Sequence, residues 1–465
     1  MEQKKNKEGG FSGQIGFVLA AAGSAVGVGN LWRFPYLAAK DGGGLFILVY
    51  LALVVTFGYV LLTSDIAIGR RTQKNSIRAY ASIRPKWKFL GIITFLVPVL
   101  IMTYYAVIGG WVLKYAVTFL TGQGATAASD TYFTNFISDP RQAGLYAAIF
   151  MIVTAVIVFR GVEKGIEACS RYMMPILLVA IILIAGYSLT LRHTDADGTV
   201  RTGMQGLLVY LTPDLKGLTF SKFLQVLLDA MSQIFFSLSV SMGIMITYGS
   251  YVKKEVNLNR AVSQIELFDT GVALLAGMMI IPSIFVFSGV DGMASGPKLM
   301  FVSLPKVFLA MGGIGNVIGA VFFVMAIFAT LTSCISVLES ITANCIEIFH
   351  LQRKPTAAVL GSVYTLISVV IALGYSIFYV EIPLPNGSVG QLLDLMDYIS
   401  NSCMMPFISL LSSILIGWVI KPQWIIDEME ADGSRMGRKK LYSIVIRYVA
   451  PVIMAILFLQ SLGIF

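Results

Sequence analysis

The residues best suited to chemistry lie in residues 23–36, inside the first apolar stretch of the chain. Asn30 and Arg33 bring strong polar groups to membrane depth there, and a helix is weakened by Gly23, Gly27, Gly29 and Pro35. Lipid cannot hydrogen-bond a broken backbone, so such a break survives only against protein or a polar cavity. Free carbonyls, an amide and a guanidinium together indicate a site for a small solute or an ion. Glycine-rich helix packing is the alternative, but it leaves Asn30 and Arg33 unexplained.

A second apolar run is interrupted in a similar way. Residues 222–250 carry small and polar residues near their middle, at Ser237, Ser239, Ser241 and Gly243. Two broken helices at matching positions in two halves of a chain indicate a transport site at the interface of an inverted repeat.

The composition indicates a helical protein that crosses a membrane many times. Of the 465 residues, 57% are hydrophobic and only 13% are charged, and no stretch is polar enough for a separate soluble domain. Apolar runs of spanning length predict eleven transmembrane helices, over residues 12–38, 44–70, 89–120, 144–160, 166–187, 222–250, 262–288, 314–349, 356–379, 391–420 and 441–464. We therefore expect an all-α polytopic membrane protein with one transporter domain over residues 1–465.

The eleven helices divide into two groups of five and one more. The first five-helix repeat covers residues 12–187, the second covers 222–420, and 441–464 form an extra C-terminal helix. The broken helices one and six each open a repeat. Because five is odd, the two repeats have opposite orientations in the membrane, as an inverted repeat requires.

The distribution of basic residues predicts the orientation of the chain. Most Lys and Arg residues fall in loops that are cytoplasmic if the N-terminus is cytoplasmic, beginning with Lys4, Lys5 and Lys7. The positive-inside rule therefore predicts a cytoplasmic N-terminus, and an odd helix count places the C-terminus outside. The net charge of +9 is spread over these short loops, so it does not indicate a nucleic-acid partner.

Other classes of membrane protein fit the sequence less well. A channel is disfavoured because no repeated filter loop or ring of charges is visible. An intramembrane enzyme is disfavoured because His193 and His350 lie in predicted loops or helix ends, and no HExxH or GxSxG motif occurs. The cysteines have neither metal nor disulfide spacing; they are Cys169, Cys334, Cys345 and Cys403.

Residues 28–36, Val-Gly-Asn-Leu-Trp-Arg-Phe-Pro-Tyr, resemble the signature of the neurotransmitter:sodium symporter family, whose bacterial amino-acid branch has the LeuT fold. The resemblance runs from about Phe11 to Asp397, and its other anchors include Asp41-Gly-Gly-Gly44, Ile68-Gly-Arg70, Trp111 and Leu338-Glu-Ser340. It implies sodium-coupled import of an amino acid across the plasma membrane of a prokaryote. The implied partners are the amino acid, sodium and the lipid bilayer, and the oligomeric state stays open.

The resemblance implies two sodium sites, built from the oxygen ligands that hard cations prefer. The first comprises Ala25, Asn30, Ser237 and Asp269, and the second comprises Gly23, Val26, Ala329, Thr332 and Ser333. Two alternatives come from the residues alone. The hydroxyls of Thr332 and Ser333 could bond the preceding helical turn, and Asp269 could cap the cytoplasmic end of its helix. An aspartate beside sodium supplies negative charge, so we expect no need for chloride.

The resemblance also implies the substrate class. Monoamine carriers of the family hold the substrate ammonium with an aspartate at the position of Gly27, so we expect a substrate with its own carboxylate, with Tyr105 as a donor to it. The pocket residues by resemblance are Ser24, Ala25, Val28, Gly29, Ile101, Tyr105, Ile108, Phe236, Ser237, Ser239, Met242, Ser333 and Val337. They are mainly apolar, which favours a neutral, hydrophobic or aromatic α-amino acid. The sequence does not distinguish among leucine, tyrosine and tryptophan as the substrate.

An outer gate is implied above this pocket. Tyr105 and Phe236 form an aromatic lid, and Arg33 and Asp397 close above it as a direct or water-linked ion pair, with Asp394 one turn away. An unpaired arginine at that depth is costly, so a carboxylate partner is expected on any interpretation.

An inner gate is implied at the cytoplasmic side, from Ser250, Tyr251 and Glu347. The family's N-terminal arginine and tryptophan are replaced near Glu8 and Phe11. The fifth helix has Gly165 and Pro175 at a spacing that the family uses to unwind this helix, with a simple kink as the alternative. Three other acids are expected to be structural hydrogen-bonding groups first; they are Asp65, Asp229 and Glu339. A proton-coupled carrier of the same architecture is the closest rival, because Asp269 is ionisable.

Overall fold

The computed structural model describes residues 10–194, 198–289, 292, 297–385 and 387–464. The N-terminal cations Lys4, Lys5 and Lys7 and the acid Glu8 lie outside these residues. The described chain is helical apart from two antiparallel hairpins. These hairpins pair Arg192–Thr194 with Val200–Thr202 and Ile382–Pro383 with Val389–Gly390.

The long helices follow the order predicted from hydropathy. They are α1a (Gln14–Ala25), α1b (Gly29–Lys40), α2 (Gly44–Thr72), α3 (Pro85–Leu120), α4 (Pro140–Phe159), α5 (Val162–Thr190), α6a (Phe220–Leu238), α6b (Ile244–Ser250), α7 (Leu258–Ser288), α8 (Gly313–Phe349), α9 (Arg353–Tyr375), α10 (Leu392–Val419) and α11 (Lys439–Ser461). Shorter helices lie in the connections, at Ser76–Ile83, Tyr132–Ser138, Gly203–Leu211, Leu299–Ala310 and Gln423–Met429. The polytopic helical fold is therefore confirmed.

The first span is broken where the glycines predict it. α1a and α1b meet at an angle of 55°. Val26 has an extended backbone (φ −73°, ψ 102°), and α1b then begins with the π-helical turn Gly29–Arg33. The break frees backbone carbonyls in the middle of the molecule, because residues on either side of it cannot complete the helical ladder.

The sixth span is broken over five residues between α6a and α6b. Ser239, Ser241 and Gly243 all adopt left-handed backbone conformations, with φ of 51°, 62° and 75°. Serine is strained there, and the strain is offset by hydrogen bonds. Ser241 N donates to Asp65 Oδ2 at 2.7 Å, and Ser239 Oγ donates to the Ser24 carbonyl at 2.9 Å.

The number of spans depends on how the two broken helices are counted. Within the described residues, nine continuous helices have the length and apolarity to cross a membrane, and the α1 pair makes ten. The sixth span is not among these helices, because neither α6a nor α6b is by itself both long enough and apolar enough to cross a membrane. Eleven spans and the inverted repeat therefore stay predictions.

Burial separates a central group of helices from a rim. The most apolar stretch of α8 is 78% buried, whereas the corresponding stretches of α5 and α11 are 39% and 33% buried. The rim helices present exposed Leu, Ile and Val side chains, the surface expected against lipid tails. The broken helices pack against α8, so the backbone breaks lie in the most enclosed part of the fold.

Candidate functional site

The two helix breaks meet in the protein interior. Ser239 of the α6 break donates to the carbonyl of Ser24, and Gln233 of α6a donates to the carbonyl of Gly29 at 3.4 Å. Carbonyls of α1 on either side of its break are thus bonded by side chains of α6a and of the α6 break. The arrangement satisfies the requirement that irregular backbone at membrane depth faces protein or a cavity.

The four residues predicted for the first sodium site include three that share one hydrogen-bond cluster. Asn30 Nδ2 donates to Asp269 Oδ1 at 2.9 Å, and Ser237 Oγ lies 2.8 and 2.7 Å from the two Asp269 oxygens. All three side chains are fully buried. Asn30 Oδ1 accepts from Gly27 N at 3.2 Å, which ties the cluster to the α1 break. Ala25, the fourth residue, lines the adjoining cavity. A carboxylate, a hydroxyl, an amide and a carbonyl suit a hard monovalent cation.

The second predicted sodium site is a cluster of oxygens around one hydroxyl. Ser333 Oγ lies 3.1 to 3.4 Å from four backbone carbonyl oxygens, those of Gly23, Ser24, Val26 and Ala329. A hydroxyl has a single proton to donate, so it cannot satisfy all four carbonyls. Those of Ser24 and Ala329 have a second side-chain donor, in Ser239 and Thr332. The set therefore fits a cation. Thr332 Oγ1 bonds the carbonyl of Phe328 in its own helix at 2.9 Å, as the alternative interpretation of a mid-helix hydroxyl expects.

A cavity of about 30 Å³ lies between these two clusters. It has room for one or two water molecules and not for an amino acid. Nine residues predicted for the pocket line it, namely Ser24, Ala25, Ile101, Tyr105, Phe236, Ser239, Met242, Ser333 and Val337. Gly27, which the sequence placed next to the substrate, also lines it, and the structure adds Tyr104, Ile244 and Asn401. Four predicted residues are not among the lining residues: Val28, Gly29, Ile108 and Ser237.

Two glycines of α1 face this cavity and its lid. A Cβ on Gly27 would lie 2.9 Å from the Tyr105 hydroxyl and 3.2 Å from Ser333 Oγ. A Cβ on Gly29 would lie 2.2 Å from the ring of Phe236, so only glycine lets this ring pack onto α1b. The absence of a side chain at Gly27 lets the Tyr105 hydroxyl and Ser333 of the second oxygen cluster come close to the α1 break.

The outer gate residues are close together but are bonded to other partners. Arg33 lies over the Phe236 ring at 5.9 Å and donates to the carbonyl and hydroxyl of Ser232 at 3.1 and 2.7 Å. Asp397 accepts from the Tyr104 hydroxyl at 2.8 Å and from Asn401 Nδ2 at 2.6 Å. Among the described ion pairs, Arg33 and Asp397 are therefore not directly paired. The direct form of the predicted pair is absent here.

A larger cavity of about 540 Å³ lies outside this gate, between α6a, α10 and α11. Ser232 and Asn401 line it, and Asn401 also lines the inner cavity. Asn401, which bonds Asp397, therefore lies between the two cavities. Asp394 does not contact Arg33; its Oδ2 accepts from Gln391 N at 2.9 Å and so caps the start of α10.

Two acidic residues, Asp41 and Asp229, lie near the end of α1b. Lys40 Nζ pairs with Asp229 Oδ2 at 2.8 Å. Asp41, which follows α1b, is buried, and its Oδ2 has no hydrogen-bond partner among the described residues. Burial, together with the nearby negative charge of Asp229, raises the pKa of Asp41 to about 7.

Near the predicted inner gate, the acid that bonds Tyr251 is Glu339 and not the predicted Glu347. Tyr251 donates to Glu339 Oε1 at 2.7 Å, and Arg353 forms an ion pair with the same carboxylate. Glu347 instead accepts from the backbone N of Asn75 at 2.8 Å. Ser250 Oγ bonds the carbonyl of Thr247 within its own helix at 2.7 Å.

Three residues on the side predicted to be cytoplasmic make contacts that the sequence does not reveal. From the sequence, Arg353 is only a cation in the loop after α8. In the structure it begins α9 and bonds Glu339 of α8. Phe11 packs against Tyr248 and Tyr251 with ring centroids 5.4 and 6.2 Å apart. Glu167 accepts hydrogen bonds from Ser12 and Arg171. The only sequence signal for Glu167 is an acid close to Gly165 at the start of an apolar run.

Comparisons with known proteins agree on one family. A profile of the sodium:neurotransmitter symporter family matches residues 8–147 and 131–465. An uncharacterized sodium-dependent transporter of Bacillus subtilis, YhdH, is 34% identical over 461 residues, which cover 98% of this chain and 98% of that relative. One from Methanocaldococcus jannaschii is 28% identical over 472 residues, which cover 97% of this chain and 90% of that relative. The crystal structure of MhsT in complex with L-phenylalanine matches with a TM-score of 0.83 and 34% identity, covering 97% of this chain and 99% of MhsT.

Proposed function

The chain belongs to the sodium:neurotransmitter symporter family, and on that premise we propose that it imports a neutral, hydrophobic or aromatic α-amino acid by sodium symport with alternating access. As a member of this family it is an integral membrane transporter that uses sodium, and not an enzyme. The rest of the proposal comprises eleven spans in a five-plus-five inverted repeat, a cytoplasmic N-terminus and an external C-terminus in a prokaryotic plasma membrane.

The observation that carries the substrate class is that the cavity is lined at Gly27 by backbone alone and by no acidic side chain of the described residues. The Tyr105 hydroxyl and Ser333 lie so close to Gly27 that a side chain there would displace them. A substrate amine without a carboxylate would find no counter-charge there. A substrate carboxylate would accept from Tyr105 and lie beside the cation site of Asn30 and Asp269. The amino acid thus supplies the negative group that the protein does not.

The remaining walls favour an apolar side chain. Ile101, Val337, Ile244 and Met242 line the cavity, and no Lys, Arg, Asp or Glu of the described chain does so. A charged substrate side chain would lose its hydration without a partner, which is costly. Met242 is flexible and polarizable, so it can adapt to several apolar shapes. The similarity to MhsT, which was crystallised in complex with L-phenylalanine, supports this class.

We propose that the Asp269 cluster binds one sodium and the Ser333 cluster the other. The Asp269 carboxylate would balance the cation charge, so we expect no need for chloride. Ser237 and Asn30 hold this carboxylate in place and connect it to α6a and α1. Binding of cations at both clusters would tie the α1 break to α6, α7 and α8, and so prepare the substrate cavity.

Alternating access follows from the small size of the cavity. At about 30 Å³ it must expand before a substrate enters. The partition of Arg33, Phe236 and Asn401 is the thin wall on the outer side, because the larger cavity lies directly beyond it. Entry then requires Phe236 and Arg33 to move, and release to the cytoplasm requires the Glu339–Arg353 closure to open.

Uptake into proteoliposomes tests the coupling ion. An inward sodium gradient should drive accumulation of leucine, phenylalanine or another neutral amino acid, and Ser333→Ala should raise the sodium concentration needed. Equal accumulation on a proton gradient without sodium would instead support the proton-coupled carrier, with Asp269 as the proton site. The matched control is Thr365→Ala, since Thr365 bonds only its own helix in α9.

Competition between an amino acid and its decarboxylated amine tests the substrate class. The amine cannot occupy the acceptor position beside Tyr105, and a site built for a polar group can reject an analogue that lacks it by about 10⁴-fold. Equal inhibition by phenylalanine and phenylethylamine would contradict the role given to Gly27.

Replacement of chloride by gluconate tests the role of Asp269. Wild-type uptake should be unchanged, whereas Asp269→Asn should lose uptake or become responsive to chloride. A buried charge left uncompensated costs on the order of 3–5 kcal/mol, roughly a hundredfold or more in apparent sodium affinity. Wild-type uptake that stops without chloride, or Asp269→Asn with unchanged sodium affinity, would return Asp269 to a structural role.

A further inference from the structure

Glu167 is a buried carboxylate that neither sodium cluster nor the substrate cavity uses. It ends the π-helical turn Val162–Glu167 at the start of α5 and is 2% exposed. Its Oε2 accepts from the backbone N of Ser12 at 2.8 Å, and its Oε1 accepts from the Ser12 hydroxyl. Arg171, one turn further along α5, donates to Oε1 at 3.0 Å. One acid therefore connects two segments that lie 155 residues apart in sequence.

This carboxylate lies beside the N-terminus of α1a, which has no side-chain cap of its own. The N-cap residue of α1a, Gly13, has no side chain to cap the helix. A carboxylate near a helix N-terminus compensates the unpaired N–H groups and the positive end of the helix dipole. Gly16 leaves space for it, since a Cβ there would lie 2.2 Å from Glu167 Oε1. Glu167 thus stabilises the start of α1a from a different helix.

The same region connects to both cytoplasmic parts of the site. Phe11, next to Ser12, packs against Tyr248 and Tyr251 beside the inner gate. At the other end of α1a, Gly23 contributes a carbonyl to the Ser333 cluster. The α5 residue Met174 approaches this point, with its sulfur 3.2 Å from where a Gly23 Cβ would lie. α1a is therefore held at one end by Glu167 and reaches the second oxygen cluster at the other.

We propose that Glu167 is a positioning residue that latches the cytoplasmic end of α1a onto α5. The turn that carries Glu167 also contains Gly165, whose backbone is packed so tightly that a Cβ would lie 2.1 Å from the Ile157 carbonyl. Unwinding one helical turn displaces residues by about 5 Å, which exceeds hydrogen-bond reach. Unwinding of this turn therefore releases Ser12, and α1a becomes free to move. The role in transport rests on the proposed function, but the latch itself is testable without transport.

Hydrogen–deuterium exchange in sodium-containing detergent measures the latch directly. Ser12→Ala and Glu167→Gln should increase exchange in peptides that cover α1a roughly five- to tenfold, the size expected for a lost helix cap. Ser12→Thr keeps the hydroxyl and should behave as wild type. Glu163→Gln is the matched control, because Glu163 lies on the same turn but is exposed.

Gly16→Ala separates the latch from ordinary helix stability. Alanine strengthens a helix relative to glycine, so helix propensity alone predicts slower exchange in α1a. Its methyl group would displace the Glu167 carboxylate, so the latch predicts faster exchange, as in Ser12→Ala. Faster exchange confined to α1a and the α5 turn in both variants supports the proposal. Unchanged exchange, or an increase that extends equally through α8, overturns it. Failure of wild-type sodium-driven uptake would refute the proposed function and leave this result in place.

Discussion

The inner and outer closures of the molecule use the same residue types but different bonding. On the side predicted to be cytoplasmic, Glu339 is fully buried, pairs with Arg353 and accepts from Tyr251. On the outer side, Arg33 and Asp397 are each bonded to uncharged groups and are not paired with each other. The inner closure is therefore an ion pair in a desolvated setting, and the outer closure is a set of hydrogen bonds that each join one charged group to an uncharged one.

This difference indicates which side opens more easily. Separating a buried ion pair leaves a charge without compensation, which is strongly destabilising. Exchanging a hydrogen bond between a charged and an uncharged group for water costs less, about 1.5–3 kcal/mol each. The cavity of about 540 Å³ beyond Arg33 also provides space for side chains and water on the outer side. We infer that this chain opens outward readily and inward only when the Glu339 closure is relieved.

The largest effect should come from removing one half of the inner pair. Arg353→Met leaves Glu339 buried without its counter-charge, at a cost of about 3–5 kcal/mol. We expect a clear fall in Tm in detergent, and recovery of most of it in Arg353→Met/Glu339→Gln. A double variant as unstable as the single one would show that the pair is not the source of the stability.

A smaller effect is expected at the outer gate. Arg33→Gln keeps a donor for Ser232 but loses the charge that faces Asp397, so we expect an approximately tenfold rise in KM with little change in Tm. Uptake kinetics and thermal scans on the same preparation measure both. If Arg33→Gln lowers Tm as much as Arg353→Met does, the two closures are not different in kind.

A pH-dependent effect is expected from the loop that follows α1b. Because burial raises the pKa of Asp41 to about 7, the folded protein holds a proton that the unfolded chain releases. As pH rises from the ordinary pKa of an aspartate to about 7, Asp41 therefore lowers the free energy of unfolding more and more. Above pH 7 the loss stays constant. Asp41→Asn cannot ionise, so its gain in Tm over wild type should be greater at pH 8 than at pH 5. A gain that is equal at both pH values would contradict this cause.

The smallest effect is expected from the exposed ion pair beside it. Lys40 is 41% exposed, and surface pairs of this kind contribute about 0–1 kcal/mol. Lys40→Gln should change Tm only slightly, and less at high salt, because salt screens exposed charges. A large, salt-insensitive fall would mean that the outer side also depends on a buried charge.

Sequence alone was sufficient for the features that depend on local composition. Glycines and prolines in an apolar run predicted the break in α1, and the small residues from Ser237 to Gly243 predicted the break in α6. The family resemblance is confirmed, and the residues matched through it include nine that line the cavity. These features survive small errors in helix boundaries, because a break or an apolar run is a property of a whole segment.

The partners across the fold were decided by tertiary structure. Successive residues of a helix point about 100° apart around its axis. An error of two or three residues in placing a helix therefore removes the information on which neighbouring helix a side chain faces. Sequence therefore did not reveal that Glu339 meets Arg353, that Arg33 bonds Ser232, or that Glu167 reaches Ser12. The apolar pattern and the backbone breaks were enough to locate a site along the chain. Which charged side chains are paired, and which bond only uncharged groups, depends on how whole helices rotate and pack against one another.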